Sequence, residues 1–95
     1  MSAAPRTSAL AEFIAGLTPE TLPAAVRTRT AEVILDGTGC LLAAANPAYS
    51  TGHLIADFAR EQGGTPEASV VGHGFRTGAV HAALANGTMG YACDF

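Results

Sequence analysis

Between Pro23 and Ala45 the sequence reads PAAVRTRTAEVILDGTGCLLAAA, a helix whose second half is apolar nearly all round. Pro23 supplies the start signal, because the first helical position has no use for an N–H. Val26, Thr30, Val33, Gly37, Leu41 and Ala44 form one stripe; Leu35 and Leu42 point to the opposite side, and Ile34 and Thr38 fill the flank. A helix of that kind is covered on both sides inside a larger body. Gly37 and Gly39 each cost about 1 kcal/mol relative to Ala in a helix interior, so they imply close approach by a neighbouring helix. A chain of 95 residues hardly supplies enough neighbours, and part of this helix is expected to stay uncovered by the chain itself.

The rest of the sequence reads as shorter helices. Leu10, Phe13, Ile14 and Leu17 fall at the spacing of a one-sided helix, with Thr7 or Ser8 placed to cap it. A third helix spans Thr51 to Gln62, with Leu54, Ile55 and Phe58 as its expected core face and Gly63-Gly64 as its close. Around Ala68 to Val71, two β-branched residues between turn residues make a short extended bridge. Thr77 is the expected cap of a last helix running from Gly78 to about Tyr91. There Ala79, Ala83 and Gly87 make one small-residue ridge and Ala82, Asn86 and Gly90 a second, so the helix is expected to be gripped on two sides. The apolar fraction is 48%, but twenty alanines carry much of it and there is no Trp. Such residues gain little per side chain when buried and favour helix. The fold class is all-α: about four helices, one short extended bridge and no real sheet.

Composition also excludes functions. The net charge is −3, and the five basic residues are scattered arginines with no lysine, so no phosphate-tracking stripe exists and nucleic acid is set aside. The opening MSAAPRTSALAEF lacks the apolar run of a signal peptide, and the longest apolar stretch, Cys40 to Ala45, is too short to span a bilayer. Cys40 and Cys93 have no C-x-x-C spacing and read as buried thiols in a reducing cytoplasm. His53, His73 and His81 lack ligand spacing and read as surface or cap residues, so neither metal nor cofactor is expected. Asp36, set in an apolar helix, is expected to hold a structural hydrogen bond to a neighbouring helix terminus.

LAEFIAGLTPETLPAAVRTRTAEVILDGTGCLLAA, followed later by GHGFRTGAVHAALANGTMGYACDF, resembles the N-terminal part of the MmgE/PrpD family. The most specific elements are Asp-x-x-Gly-Cys at Asp36 to Cys40 and Ala-Asn-Gly-Thr…Asp-Phe at Ala85 to Phe95. The family includes 2-methylcitrate dehydratases, cis-aconitate decarboxylase and iminodisuccinate epimerase. The resemblance implies a large helical domain, whose first quarter residues 1–95 resemble, and a smaller lid domain outside this chain. It implies a cofactor-independent lyase acting beside a carboxylate of a small polycarboxylic acid. Asp94 occupies the position of the family's catalytic Asp, while the later His and Lys residues of that active site lie outside the chain. Many relatives read His-Ala-Leu-Asp where this chain has Tyr91-Ala92-Cys93-Asp94. Tyr91 is therefore read either as a hydrogen-bond donor facing substrate or as packing.

A positioned carboxylate suits proton removal next to a carboxylate group, and the flank of Cys93 and Phe95 favours the neutral acid. Two function classes stay open: a segment of a lyase carrying one catalytic Asp, with a second copy or the remainder of the enzyme as partner, or a free-standing helical interaction module. The first expects no catalysis by the chain alone. A polycarboxylate needs cations, and Arg76, the arginine nearest Asp94 in sequence, lies roughly 25 Å back along a straight helix.

Overall fold

The computed structural model describes residues 5–93. Four helices and two strands follow one another as α1 (Arg6–Ala15), α2 (Ala24–Ala43), α3 (Ser50–Gln62), β1 (Ala68–Val70), β2 (Phe75–Thr77) and α4 (Ala79–Ala92). The all-α class holds. The chain divides into two units, Met1–Glu32 and Val33–Phe95.

In the first unit α1 starts from Pro5 with no side-chain cap, so neither Thr7 nor Ser8 caps it; both lie inside the helix. The turn after α1 is closed by Thr18 and Thr21. The Thr18 amide donates to Thr21 Oγ1 at 3.0 Å, and Thr21 Oγ1 donates back to the Thr18 carbonyl at 3.0 Å. Pro23 then starts α2 as expected, its carbonyl accepting from the Arg27 amide at 3.1 Å. Thr30 and Thr38 satisfy their hydroxyls on the carbonyls of Val26 and Ile34, both at 2.8 Å, which lets a β-branched polar residue sit on an apolar helix.

The core of the second unit is a seam of small side chains: Ala44, Ala56, Ala59, Ala82 and Ala85, with Val70, Met89 and Cys93. Met89 and Val70 are its largest fully buried members. The expected core face of α3 holds only at Ile55, which is half-buried and packs against the core; Gly52, Ala56 and Ala59 are the buried residues, while Leu54 is 70% exposed and Phe58 is exposed as well. The reason is approach distance. A Cβ on Gly52 would collide with the Ala44 carbonyl oxygen, so backbone meets backbone there and a bulky face cannot enter.

The extended bridge at Ala68–Val70 is one arm of a small antiparallel hairpin, registered Ala68 to Thr77, Ser69 to Arg76 and Val70 to Phe75. The pairing partner is not legible in the sequence, because Phe75–Thr77 is too short to show an alternation. Thr77 does not cap α4. It is buried and donates to the Gly63 carbonyl at 2.8 Å, tying β2 to the end of α3. The start of α4 is held instead by Glu67, whose Oε2 accepts from the Ala79 amide at 3.0 Å. A carboxylate at that end meets an unpaired N–H and the positive end of the helix dipole.

The two-sided grip expected of α4 is likewise corrected. Ala82, Ala85 and Met89 are buried on one face, and Ala79, Ala83 and Gly87 are exposed on another. On α2 no residue is buried, with Leu35 74% and Leu42 55% exposed, in line with a helix left uncovered by its own chain. Among the described residues, no helix is long and apolar enough to cross a membrane.

Candidate functional site

The last described turn of α4 leads to the Asp that the sequence singles out. Alanine supplies most of its helix propensity, and Met89 and Cys93 point one turn apart into the core. Cys93 is only 5% exposed and leaves the helical conformation at φ −113° and ψ 69°. The residue before Asp94 is thus anchored in the core. Asp94, the expected catalytic residue, lies outside the described residues, as does Phe95. Tyr91 projects from the opposite side of the helix, 79% exposed. Such a ring is free to meet a ligand or a neighbouring surface, and it does not pack in the core of the described residues.

One turn and a half before Tyr91, Asn86 fastens the hairpin to the helix. Its Oδ1 accepts from the Val71 amide at 2.9 Å, and its Nδ2 donates to the Ser69 carbonyl at 3.0 Å. The carboxamide behaves as a third strand one residue long. Asn is a poor helix former, so its presence mid-helix in Ala-Asn-Gly-Thr was the available sign of a side-chain role; that its target was the hairpin was not readable.

The hairpin turn is built from Val70 to His73, with the His73 amide donating to the Val70 carbonyl at 3.2 Å. Gly72 takes φ 78°, and a Cβ there would stand 2.7 Å from that of Ala45. An open cleft of about 270 Å³ borders this turn, lined by Ser69, Val71, Gly72, Phe75 and Arg76 among others. Arg76 lies on β2, ahead of α4 rather than on it. Its guanidinium donates to the Glu67 carbonyl at 2.8 Å. Arg76 is the one charged residue of the lining, no carboxylate or histidine joins it there, and Tyr91 is not part of the cleft.

Two histidines read as surface or cap residues are brought together instead. The His53 and His73 rings meet edge to face, 5.3 Å between centroids at 81°, and the Nε2 atom of each is buried without a partner. Burial, then His53 and Arg60, hold the His73 imidazole below its ordinary value of 6.5, with Asp57 opposing. His81 packs against Phe58 at 6.3 Å. Asp36 is exposed, and the interhelical hydrogen bond expected of it is absent among the described residues, because no helix covers that side of α2. Cys93 is buried and Cys40 half-buried, both as free thiols. Among the described residues no three His, Cys, Asp or Glu side chains gather into a potential metal site.

A protein-family model described as the MmgE/PrpD N-terminal domain matches residues 8–95. Neither the curated proteins nor the solved structures gave a significant match. The family match takes in α1 from Ser8 onward, every later helix and the whole Ala85–Phe95 motif. The chain belongs to the MmgE/PrpD family, in the part of it that forms the N-terminal domain.

Proposed function

We propose that the chain is the N-terminal part of a larger helical domain in a cytoplasmic, cofactor-independent lyase resembling 2-methylcitrate dehydratase. Its substrate is a small polycarboxylic acid. The observation that carries this reading is the family match over residues 8–95, which runs through the Ala-Asn-Gly-Thr…Asp-Phe motif. Asp94 takes or returns the proton on the carbon beside a carboxylate, and Tyr91 offers a phenolic hydrogen bond at the same end of α4. Glu67 at the start of α4, Asn86 in its middle and Met89 and Cys93 near its end support such a role, since they hold the helix that leads to the acid. A catalytic group is useful only when its supporting shell is fixed.

The chain alone does not catalyse the reaction. It has no lysine, and four of its five arginines already have local partners: Arg27 on the Pro19 carbonyl, Arg29 on Glu32, Arg60 on Asp57 and Arg76 on the Glu67 carbonyl. The cations that neutralise a polycarboxylate come from the remainder of the enzyme or a second copy. The test replaces the N-terminal segment of a full-length family dehydratase with this chain and follows the ultraviolet absorbance of the unsaturated acid. The hybrid is expected to turn over, Asp94→Asn to lower kcat by about 10²–10⁴-fold, and the chain alone to be silent. A folded hybrid equally active with Asn at position 94, or turnover by the isolated chain, overturns the reading. The exposed apolar faces also suit a non-catalytic interaction module; a folded hybrid with no turnover favours that second reading.

A further inference from the structure

We propose that the His53–His73 contact is an acid-released latch joining α3 to the tip of the hairpin. The two rings come from different elements: His53 from the first turns of α3 and His73 from the turn between β1 and β2. Their edge-to-face packing buries both Nε2 atoms, and neither has a hydrogen-bond partner. A neutral imidazole tolerates an unpartnered acceptor or donor at modest cost, whereas an imidazolium must find a partner or water for each N–H. Protonating either ring therefore works against the contact, and protonating both sets two cations about 5 Å apart.

The charged groups facing His73 lie on α3: His53, then Asp57 and Arg60 at one and two turns further along the same face. Asp57 and Arg60 are bound to one another at 2.9 Å. Asp57 is thereby partly neutralised as a counter-ion, and Arg60, stacked 4.3 Å over the Phe75 ring, adds repulsion from the hairpin side. The neighbours from α4 and from the end of α2 are uncharged: Asn86 on the hairpin backbone and Ala45 against Gly72. Nothing in this set rewards a proton on His73 beyond Asp57, and burial together with His53 and Arg60 outweighs it.

Release is local. Asn86 still holds Ser69 and Val71 when the rings part, so the motion is confined to the turn from Gly72 to Gly74, which borders the open cleft. The latch thus couples proton uptake to the exposure of that turn.

The test is nuclear magnetic resonance of the full chain between pH 8 and pH 4.5, following the imidazole carbon protons and the hydrogen exchange of the His73 amide. His73 is expected to titrate below 6.5. Protection of its amide is expected to fall by up to about tenfold per pH unit for each proton taken up, after correction for intrinsic exchange. In His53→Gln, His73 is expected to titrate closer to 6.5 and the pH dependence of protection to flatten. A His73 that titrates at or above 6.5 in the unmodified chain, or protection equal at pH 7.5 and pH 5, overturns the latch without recourse to any variant. So does a folded His53→Gln chain that leaves both unchanged.

Discussion

Asn86 makes two hydrogen bonds with one carboxamide, and both go to the backbone of the hairpin. Asn86→Ala is expected to cost about 1–3 kcal/mol in urea unfolding, the usual penalty for a backbone donor or acceptor left without its partner; a change below 0.5 kcal/mol would show that water takes over the pairing. Gly72 sets a second residue-scale constraint. Gly72→Ala combines a positive φ with collision against Ala45, and Gly74→Ala has a positive φ with open space beyond it. The first substitution is therefore expected to lower stability by more than the second, which should cost about 1–2 kcal/mol. Equal losses would mean that Ala45 moves aside. His73 carries a pH prediction whose sign follows from its lowered value: the folded state favours the neutral ring, so its contribution is complete above 6.5 and declines as the pH falls below that point. Urea midpoints at pH 7.5 and 5.5 should differ in this direction, and less so in His73→Gln. These roles were only partly legible in the sequence. Gly72 read as a turn residue and Asn86 only as part of a small-residue ridge, and the partner of each comes from a segment fifteen or more residues away in the chain.

At the scale of elements, α3 offers two faces that both look like a core in sequence, the bulky Leu54, Ile55 and Phe58 and the small Gly52, Ala56 and Ala59. The small face is the buried one, since its neighbour is the backbone at Ala44 and the alanines of α4, and of the bulky set only Ile55 is half-buried against the core. Ala59→Leu is accordingly expected to destabilise the chain by about 1–3 kcal/mol through overpacking. Leu54→Ala, at an exposed position, should fall within about 0.5 kcal/mol. Calorimetry of both variants checks the assignment, and a loss of several kcal/mol at Leu54 would mean that the bulky face is covered in solution. The helices themselves were readable, with ends within a few residues of those observed, because propensity and Pro or Gly punctuation act locally. The hairpin was half readable. Val70 and Val71 marked an extended segment, but pairing with Phe75–Thr77 is settled by Thr77 on Gly63 and by Asn86 on β1, which are contacts between elements.

At the scale of the whole molecule, Val33, Ile34, Leu35 and Leu42 on α2 and Val80 and Leu84 on α4 are exposed, and large exposed apolar patches mark interaction surfaces. The chain is expected to self-associate: sedimentation should show a mass that rises with concentration, and Leu35→Glu with Leu42→Glu should shift it toward the monomer without loss of helical circular dichroism. A monodisperse wild-type monomer at high micromolar concentration would contradict this. What the sequence alone determined is the set of properties that act through neighbouring residues or through matched motifs. These are the helical class, the approximate helix bounds, the uncovered second half of α2 and the MmgE/PrpD membership carried by Ala85–Phe95 and Asp36–Cys40. Only the tertiary structure decided which face of α3 is buried, that Glu67 rather than Thr77 serves the start of α4, and that His53 meets His73. The first turns on how closely two backbones approach, a distance that in an alanine-built core is fixed by the absence of side chains and leaves no periodic signal. The other two are side-chain contacts between segments far apart in the chain, which local sequence does not encode.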